Sequence, residues 1–269
     1  MDNFELKDKY TVYDLEKIIA LLRAPGGCPW DREQTHESIR RNFLEEAYEA
    51  VEAIDEKNPE HLQEELGDVL MQVVFHAGIE QDAGRFNLDD VADMTCKKLI
   101  RRHPHIFSDV KADTSEKVLE NWDAIKMRER SQQSVTSTMG TVARSLPSMW
   151  RADKIIGKAV KAGFKWRTSD EALSKLSEET GELQAAAASD GNIEEELGDT
   201  LFAAVHIAQI YGIDPEEALG KATDKFISRF EYVENAASLR GLKINELEYE
   251  DMLRLYSRSK AAEKGEKNE

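Results

Sequence analysis

With 269 residues the chain has room for two domains that each bury a core. Its wealth of Ala, Leu, Glu and Lys, with only 6 Pro, predicts an all-α protein. A net charge of −17 argues against stable binding to a nucleic-acid backbone. It leaves a phosphate substrate open, because a bound Mg²⁺ reverses the local sign of the field.

The amino terminus is charged, which predicts no secretory leader. The longest apolar runs, around 69–79 and 201–213, are too short and interrupted to cross a bilayer. No membrane association and a cytoplasmic location are expected. Cys28 and Cys96 stand far apart and outside any CxxC pattern, so reduced thiols are expected and a zinc site is not.

Cys28-Pro29 reads as a rigid turn that feeds Trp30 into the core as an aromatic anchor. A first acidic helix carries Glu45, Glu46 and Glu49. Asn58-Pro59 then gives a cap residue followed by proline at the first helical position. The next helix bears Glu65-Leu66-Gly67-Asp68 and an apolar stripe of Leu66, Val69, Leu70, Val73, Val74 and Ala77. Proline disfavours helical geometry in the residue before it, so His103-Pro104-His105 marks a helix end.

The polar, β-branched run 131–138 lacks helical period and reads as part of a linker over 128–145. That linker separates an N-terminal domain, 1–127, from a C-terminal one, 146–269. In the second half a helix with Glu178, Glu179 and Glu182 leads through an Asp190-Gly191-Asn192 turn to Glu196-Leu197-Gly198-Asp199. Asp214-Pro215-Glu216-Glu217 caps a later helix, and the charged tail from Ala261 predicts a frayed end.

The halves are copies. The stripe after the first ELGD recurs 131 residues later as Leu197, Thr200, Leu201, Ala204, Val205 and Ala208. Upstream, Lys17-Ile18-Ile19 and Trp30 match Lys154-Ile155-Ile156 and Trp166; downstream, Lys98 and Arg102 match Lys225 and Arg229. The repeat is therefore a whole domain of about four helices, with short turns that make the acidic helices antiparallel neighbours.

Residues three apart on a helix share a face, so Glu46 with Glu49, Glu65 with Asp68, Glu179 with Glu182, and Glu196 with Asp199 form four matched pairs. Four converging carboxylates suit a hard cation, Mg²⁺ or Mn²⁺. The competing reading is a solvated acidic face. Two matching copies, each followed by an apolar stripe, weigh against it. Gly67 and Gly198 add weight: a mid-helix glycine costs about 1 kcal/mol against alanine, and its recurrence predicts close approach of another backbone or of a ligand. A di-iron bundle would need Glu-x-x-His pairs. His76 and His206 lie too far along their helices and read as packed or surface histidines. Lys175 stands one turn before Glu179, where the first copy has Asn42; Lys221, Lys225 and Arg229 form a basic row able to clamp phosphate oxygens.

These residues resemble the MazG family of nucleoside triphosphate pyrophosphohydrolases, within the all-α NTP pyrophosphatase superfamily. The likeness runs from about Tyr10 to Lys260. It rests on both EExxE…ExxD signatures, on Gly27-Cys28-Pro29-Trp30-Asp31 with Gln34-Thr35-His36, on Arg101-Arg102-His103-Pro104-His105-Ile106-Phe107, and on Gly163-Phe164-Lys165-Trp166.

The resemblance implies two tandem MazG-like domains in a homodimer. It implies Mg²⁺-dependent cleavage of ribo- and deoxynucleoside triphosphates to NMP and pyrophosphate, in nucleotide-pool cleansing or stress responses. It implies Glu179, Glu182, Glu196 and Asp199 as metal ligands, Glu178 as an acidic neighbour that positions water, and Lys175, Lys225 and Arg229 (with Lys221 beside them) as triphosphate contacts. Tyr256 stands where the family's base-stacking aromatic, expected as Trp, would lie. The second domain is expected to be catalytic, in keeping with the Lys175/Asn42 contrast. Glu46, Glu49, Glu65 and Asp68 form a possible second metal site. The alternative is a nucleotide-binding or regulatory helical module with one or both sites inactive; a third reading is a purely structural repeat.

Overall fold

The computed structural model describes residues 4–110, 112–129, 134–189 and 191–266. Among them the regular structure is helical throughout, with no strand. The chain divides into two compact units, Met1–Lys126 and Met127–Glu269.

The first unit holds α1 (Val12–Arg23), α2 (Pro29–Glu33), α3 (Arg40–Glu56), α4 (Pro59–Asp82), α5 (Leu88–Arg102), α6 (Pro104–Phe107) and most of α7 (Ser115–Glu129). Local chemistry sets the boundaries. Thr11 and Asp14 close a capping box on α1, and Asn87 and Asp90 do the same on α5. Lys57 ends α3 in the left-handed conformation (φ 57°), and the Asn58 side chain then accepts from the His61 amide to start α4. Two connecting residues leave α4 no course except back along α3. The core gathers Ile19, Ile39, Val74 and Phe75, with Leu15, Met71, Ile79 and Leu88 packed against them.

The second unit holds α8 (Val135–Met139), α9 (Ser148–Lys161), α10 (Ser169–Ala188), α11 (Ile193–Ile210), α12 (Pro215–Ser238), a 3₁₀ turn at Ile244–Glu246 and α13 (Tyr249–Glu266). Helices α9 to α12 repeat the order of α1, α3, α4 and α5. Thr168, Asn192 and Asp214 cap α10, α11 and α12 as acceptors. Asp214 also accepts from Trp150 Nε1–H at 3.0 Å, which locks the start of α12 to α9. Gly191 passes so close to α10 that a Cβ would lie 3.0 Å from the Ala186 Cα. Asp190 of the expected turn lies outside the described residues. The core joins Val233 and Ala237 of α12 to Leu247 and Leu255, with Met252 and Tyr256 packed on it.

Four expectations need correction. Trp30 is no core anchor: it is 60% exposed. The turn is held by Arg23 instead, which donates to the Asp31 carbonyl at 2.9 Å, pairs with Asp82 at 2.7 Å and lies over the Phe75 ring. The run 131–138 is not devoid of helix. Ser134 caps α8, and Thr138 is buried there; residues 130–133 lie outside the described residues. The tail does not fray at Ala261, because α13 continues to Glu266, with 267–269 outside the described residues. Finally, a Cβ built on Gly67 or Gly198 would meet nothing within 4 Å beyond its own stretch of helix, so neither glycine marks the close approach of another backbone among the described residues.

Candidate metal and nucleotide site

In the second unit, α10 and α11 run antiparallel and present their acidic faces to each other. Carboxylate oxygens of Glu179, Glu196 and Asp199 all lie within 4.8 Å of one another. Glu179 is buried at 8% exposure, Glu196 is half-buried and Asp199 exposed. Glu182 falls outside this trio but hydrogen-bonds Glu179 one turn away. That bond, aided by burial, raises the Glu182 pKa, whereas Lys175 lowers that of Glu179. Lys175 Nζ bridges Glu178 Oε1 and Glu179 Oε1, each at 2.7 Å, so its own pKa is driven upward. The ammonium faces the carboxylate cluster, as the spacing predicts.

The basic row lies on α12. Lys221 pairs with Glu217, Lys225 is exposed, and the Arg229 guanidinium lies over the Tyr256 ring at 5.9 Å. Tyr256 is half-buried, with Phe226 5.8 Å away on one side and Lys260 over the ring at 5.1 Å. Two groups expected to meet substrate, Arg229 and Tyr256, are thus in contact with each other.

In the first unit Glu46, Glu49 and Glu65 supply oxygens within 4.8 Å of one another. Burial first, then the charges of Asp68, Glu49 and Glu65, raise the Glu46 pKa. Glu65 is 9% exposed, and its Oε2 is buried without a hydrogen-bond partner. Its Oε1 lies 3.3 Å from His61 Nε2, while His61 Nδ1 meets Glu56 Oε2 at 2.8 Å. His61 was not singled out from sequence, although its i,i+4 spacing to Glu65 carries the signal.

The donor sets fit a divalent cation. All are carboxylates, the ligand type that suits Mg²⁺ and Mn²⁺. A buried carboxylate oxygen without a donor is costly unless a cation or ligand satisfies it.

His36 and His76, from the QTH string and α4, serve packing. Their rings stack with Nδ1 atoms 2.7 Å apart, and His36 Nε2 meets Glu80 Oε1 at 2.5 Å. Arg85 holds Glu80 through both carboxylate oxygens. In the second unit Trp166 Nε1–H donates to His206 Nδ1 at 3.0 Å. His76 and His206 are both packed, as expected, and neither belongs to a carboxylate trio.

The profile of the MazG nucleotide pyrophosphohydrolase domain matches twice, at residues 34–107 and 167–234, once in each unit. A Thermotoga maritima protein named nucleoside triphosphate pyrophosphohydrolase/pyrophosphatase MazG is 40% identical over 250 residues, 93% of this chain and 96% of its own. An Escherichia coli K12 nucleoside triphosphate pyrophosphohydrolase is 41% identical over 251 residues, 91% of this chain and 95% of its own. The Bacillus subtilis protein YabN is 44% identical over 250 residues, and the match spans 51% of its length. The chain belongs to the MazG nucleotide pyrophosphohydrolase family.

Proposed function

We propose that the protein hydrolyses nucleoside triphosphates, ribo- and deoxy-, between the α and β phosphates to NMP and pyrophosphate, with the chemistry in the second unit. The observation that carries this reading is the Glu179–Glu196–Asp199 cluster with Lys175 bridging Glu178 and Glu179 beside it. Relatives named for this activity match more than nine-tenths of both chains and support it.

Glu179, Glu196 and Asp199, with Glu182 one turn from Glu179, would hold Mg²⁺, or Mn²⁺ in its place; when bound, the cation would supply Lewis acidity and neutralise phosphoryl oxygens. Lys175, Lys221, Lys225 and Arg229 draw the triphosphate by charge, and Tyr256 offers its ring to the base. A water oxygen attacks the α-phosphorus, the bond from that phosphorus to the bridging oxygen breaks, and pyrophosphate leaves. Glu178, exposed and one residue from Glu179, positions the water, and a carboxylate takes its proton.

The protein acts in the cytoplasm on the free nucleotide pool, in cleansing or stress control, as a homodimer. Leu44, Tyr48 and Val51 on α3 and Leu66 and Leu70 on α4 are exposed apolar side chains that a second copy would cover, which supports the dimer. No helix among the described residues is long and apolar enough to cross a membrane. Incubation with a panel of NTPs and dNTPs in Mg²⁺ tests the reading. NMP and pyrophosphate are expected, with release abolished by EDTA; NDP and orthophosphate would overturn it.

A further inference from the structure

His36 stands in the short segment between α2 and α3 and reaches two groups on α4. Its Nε2 lies 2.5 Å from Glu80 Oε1, and its Nδ1 lies 2.7 Å from His76 Nδ1. Glu80 is buried and gripped by Arg85 through both oxygens, which with His36 holds its pKa at about 2. At neutral pH it is therefore a carboxylate, able only to accept, and His36 Nε2 must carry a hydrogen.

That fixes the proton count at the other contact. Two bare nitrogens repel at 2.7 Å, and so do two N–H groups, so a single hydrogen lies between the Nδ1 atoms. In the uncharged pair it belongs to His76, which donates to the lone pair on His36 Nδ1. A first added proton goes to His76 Nε2, and the shared hydrogen then sits on either ring; in both forms one hydrogen still bridges them. A second proton has only the bridging lone pair left to occupy. It sets two N–H groups and two imidazolium charges against each other, and the contact fails.

The surroundings allow that second step. The His36 side chain is 37% exposed, so water delivers the proton. From α3 the pair meets Phe43, edge-on to His76 at 5.7 Å. From α1 comes Arg23, already paired with Asp82 of α4. Glu80 and Glu37 favour the cation, and Arg85 opposes it. Burial first, then His36, lower the His76 pKa.

We propose that the His36–His76 pair is an acid-operated latch. With one hydrogen between its rings it ties residues 34–39 to α4, and uptake of the second proton releases them. The Thr35 and Ser38 hydroxyls accept from each other's amides, so the segment leaves as one turn. It takes with it Ile39, a core residue at 4% exposure and the one from which α3 starts. The latch belongs to the first unit alone, because Ile207 stands 131 residues on from His76, at the shift that relates the copies. Once opened, the pair binds its second proton near the ordinary histidine value of about 6.5, whereas the closed pair does so only at lower pH. The latch is thus fully closed above that value. Its hold is lost as pH falls below it, by about tenfold per pH unit for one proton.

Hydrogen exchange of the full chain, read by mass spectrometry and corrected for the intrinsic effect of pH on exchange, tests this. The Ile39 and Phe43 amides, bonded to the Thr35 and Ile39 carbonyls, should lose roughly 10- to 30-fold in protection between about pH 7 and about pH 5. Amides of α11 in the second unit should change by less than about twofold. His76→Gln brings a side chain that donates to His36 Nδ1 or accepts from it and does not titrate, so it should keep the segment protected at both pH values. Equal protection of the wild-type segment at the two pH values, or a wild-type loss in His76→Gln, overturns the proposal. Circular dichroism identifies an unfolded His76→Gln variant, and side-chain nitrogen-15 spectra of the wild type then carry the decision. One hydrogen shared by the two Nδ1 atoms at neutral pH is expected; two bare or two protonated Nδ1 atoms overturn the latch.

Discussion

Val233 is 1% exposed and sits at the centre of the cluster that joins α12 to α13, against Ala237, Leu247 and Leu255. Replacing it by alanine removes two buried carbons, roughly 1.6 kcal/mol of transfer free energy at about 0.8 kcal/mol each. The void left between two helices adds about 0.5–1 kcal/mol where its walls do not collapse. The expected loss is therefore about 2–2.5 kcal/mol, a fall in Tm of roughly 5–10 °C for a domain of this size. Tyr256 and Met252 pack on the same cluster, so α13 loosens on α12 and KM for NTPs rises. Urea unfolding followed by circular dichroism measures the change, with Leu239→Ala, 90% exposed, as the reference. That control should move by less than about 0.5 kcal/mol. Equal midpoints for Val233→Ala and Leu239→Ala would refute the assignment of this cluster as the second unit's core.

Two further substitutions follow from the charges. Lys175→Asn gives the second unit the residue of the first; NMP release should fall about 10²- to 10³-fold, as for loss of a group that stabilises transition-state charge. The same change removes a cation beside the cluster, so Mn²⁺ should bind several-fold more tightly by EPR titration, and weaker Mn²⁺ binding would contradict the geometry. Arg85, and then His36, hold the Glu80 pKa at about 2, and Lys7 with Thr11 hold that of Asp14 at about 2. Both carboxylates are depressed, so their stabilisation is complete above the unfolded values near pH 4 and is lost as pH falls from there toward 2. Arg85→Gln should flatten the urea midpoint's pH dependence in that window, and an unchanged slope would remove Glu80 from the account.

Much of the site was legible because it is written locally. Glu179 and Glu182, or Glu196 and Asp199, share a face by helical period alone, and the turns at Asn58-Pro59 and Asp214-Pro215 fold as their caps dictate. What stayed hidden depends on groups distant in sequence. The His36–His76–Glu80–Arg85 chain links three segments, and no period announces that Arg102 will lie over Trp122. Trp30 misled because an aromatic after Cys-Pro reads as an anchor, whereas the buried Arg23 side chain does that work through the Asp31 carbonyl. The helix α8 was missed because a five-residue turn shows no period; a serine cap and one buried threonine suffice to form it.

The hairpin tips set how deep each cluster lies. In the first unit Glu65 is the seventh residue of α4, about 9 Å from its start at 1.5 Å per residue. In the second, Glu196 is the fourth residue of α11, about 4.5 Å in, still within the first turn. Depth along the helix does not change burial, because each trio holds one buried, one half-buried and one exposed carboxylate, with Glu65 and Glu179 the buried ones. It changes the field instead. The positive end of α11 lies beside Glu196, whereas the influence of the α4 terminus has fallen off before it reaches Glu65. One duplicated hairpin thus sets the same carboxylates in two different helix-terminal fields.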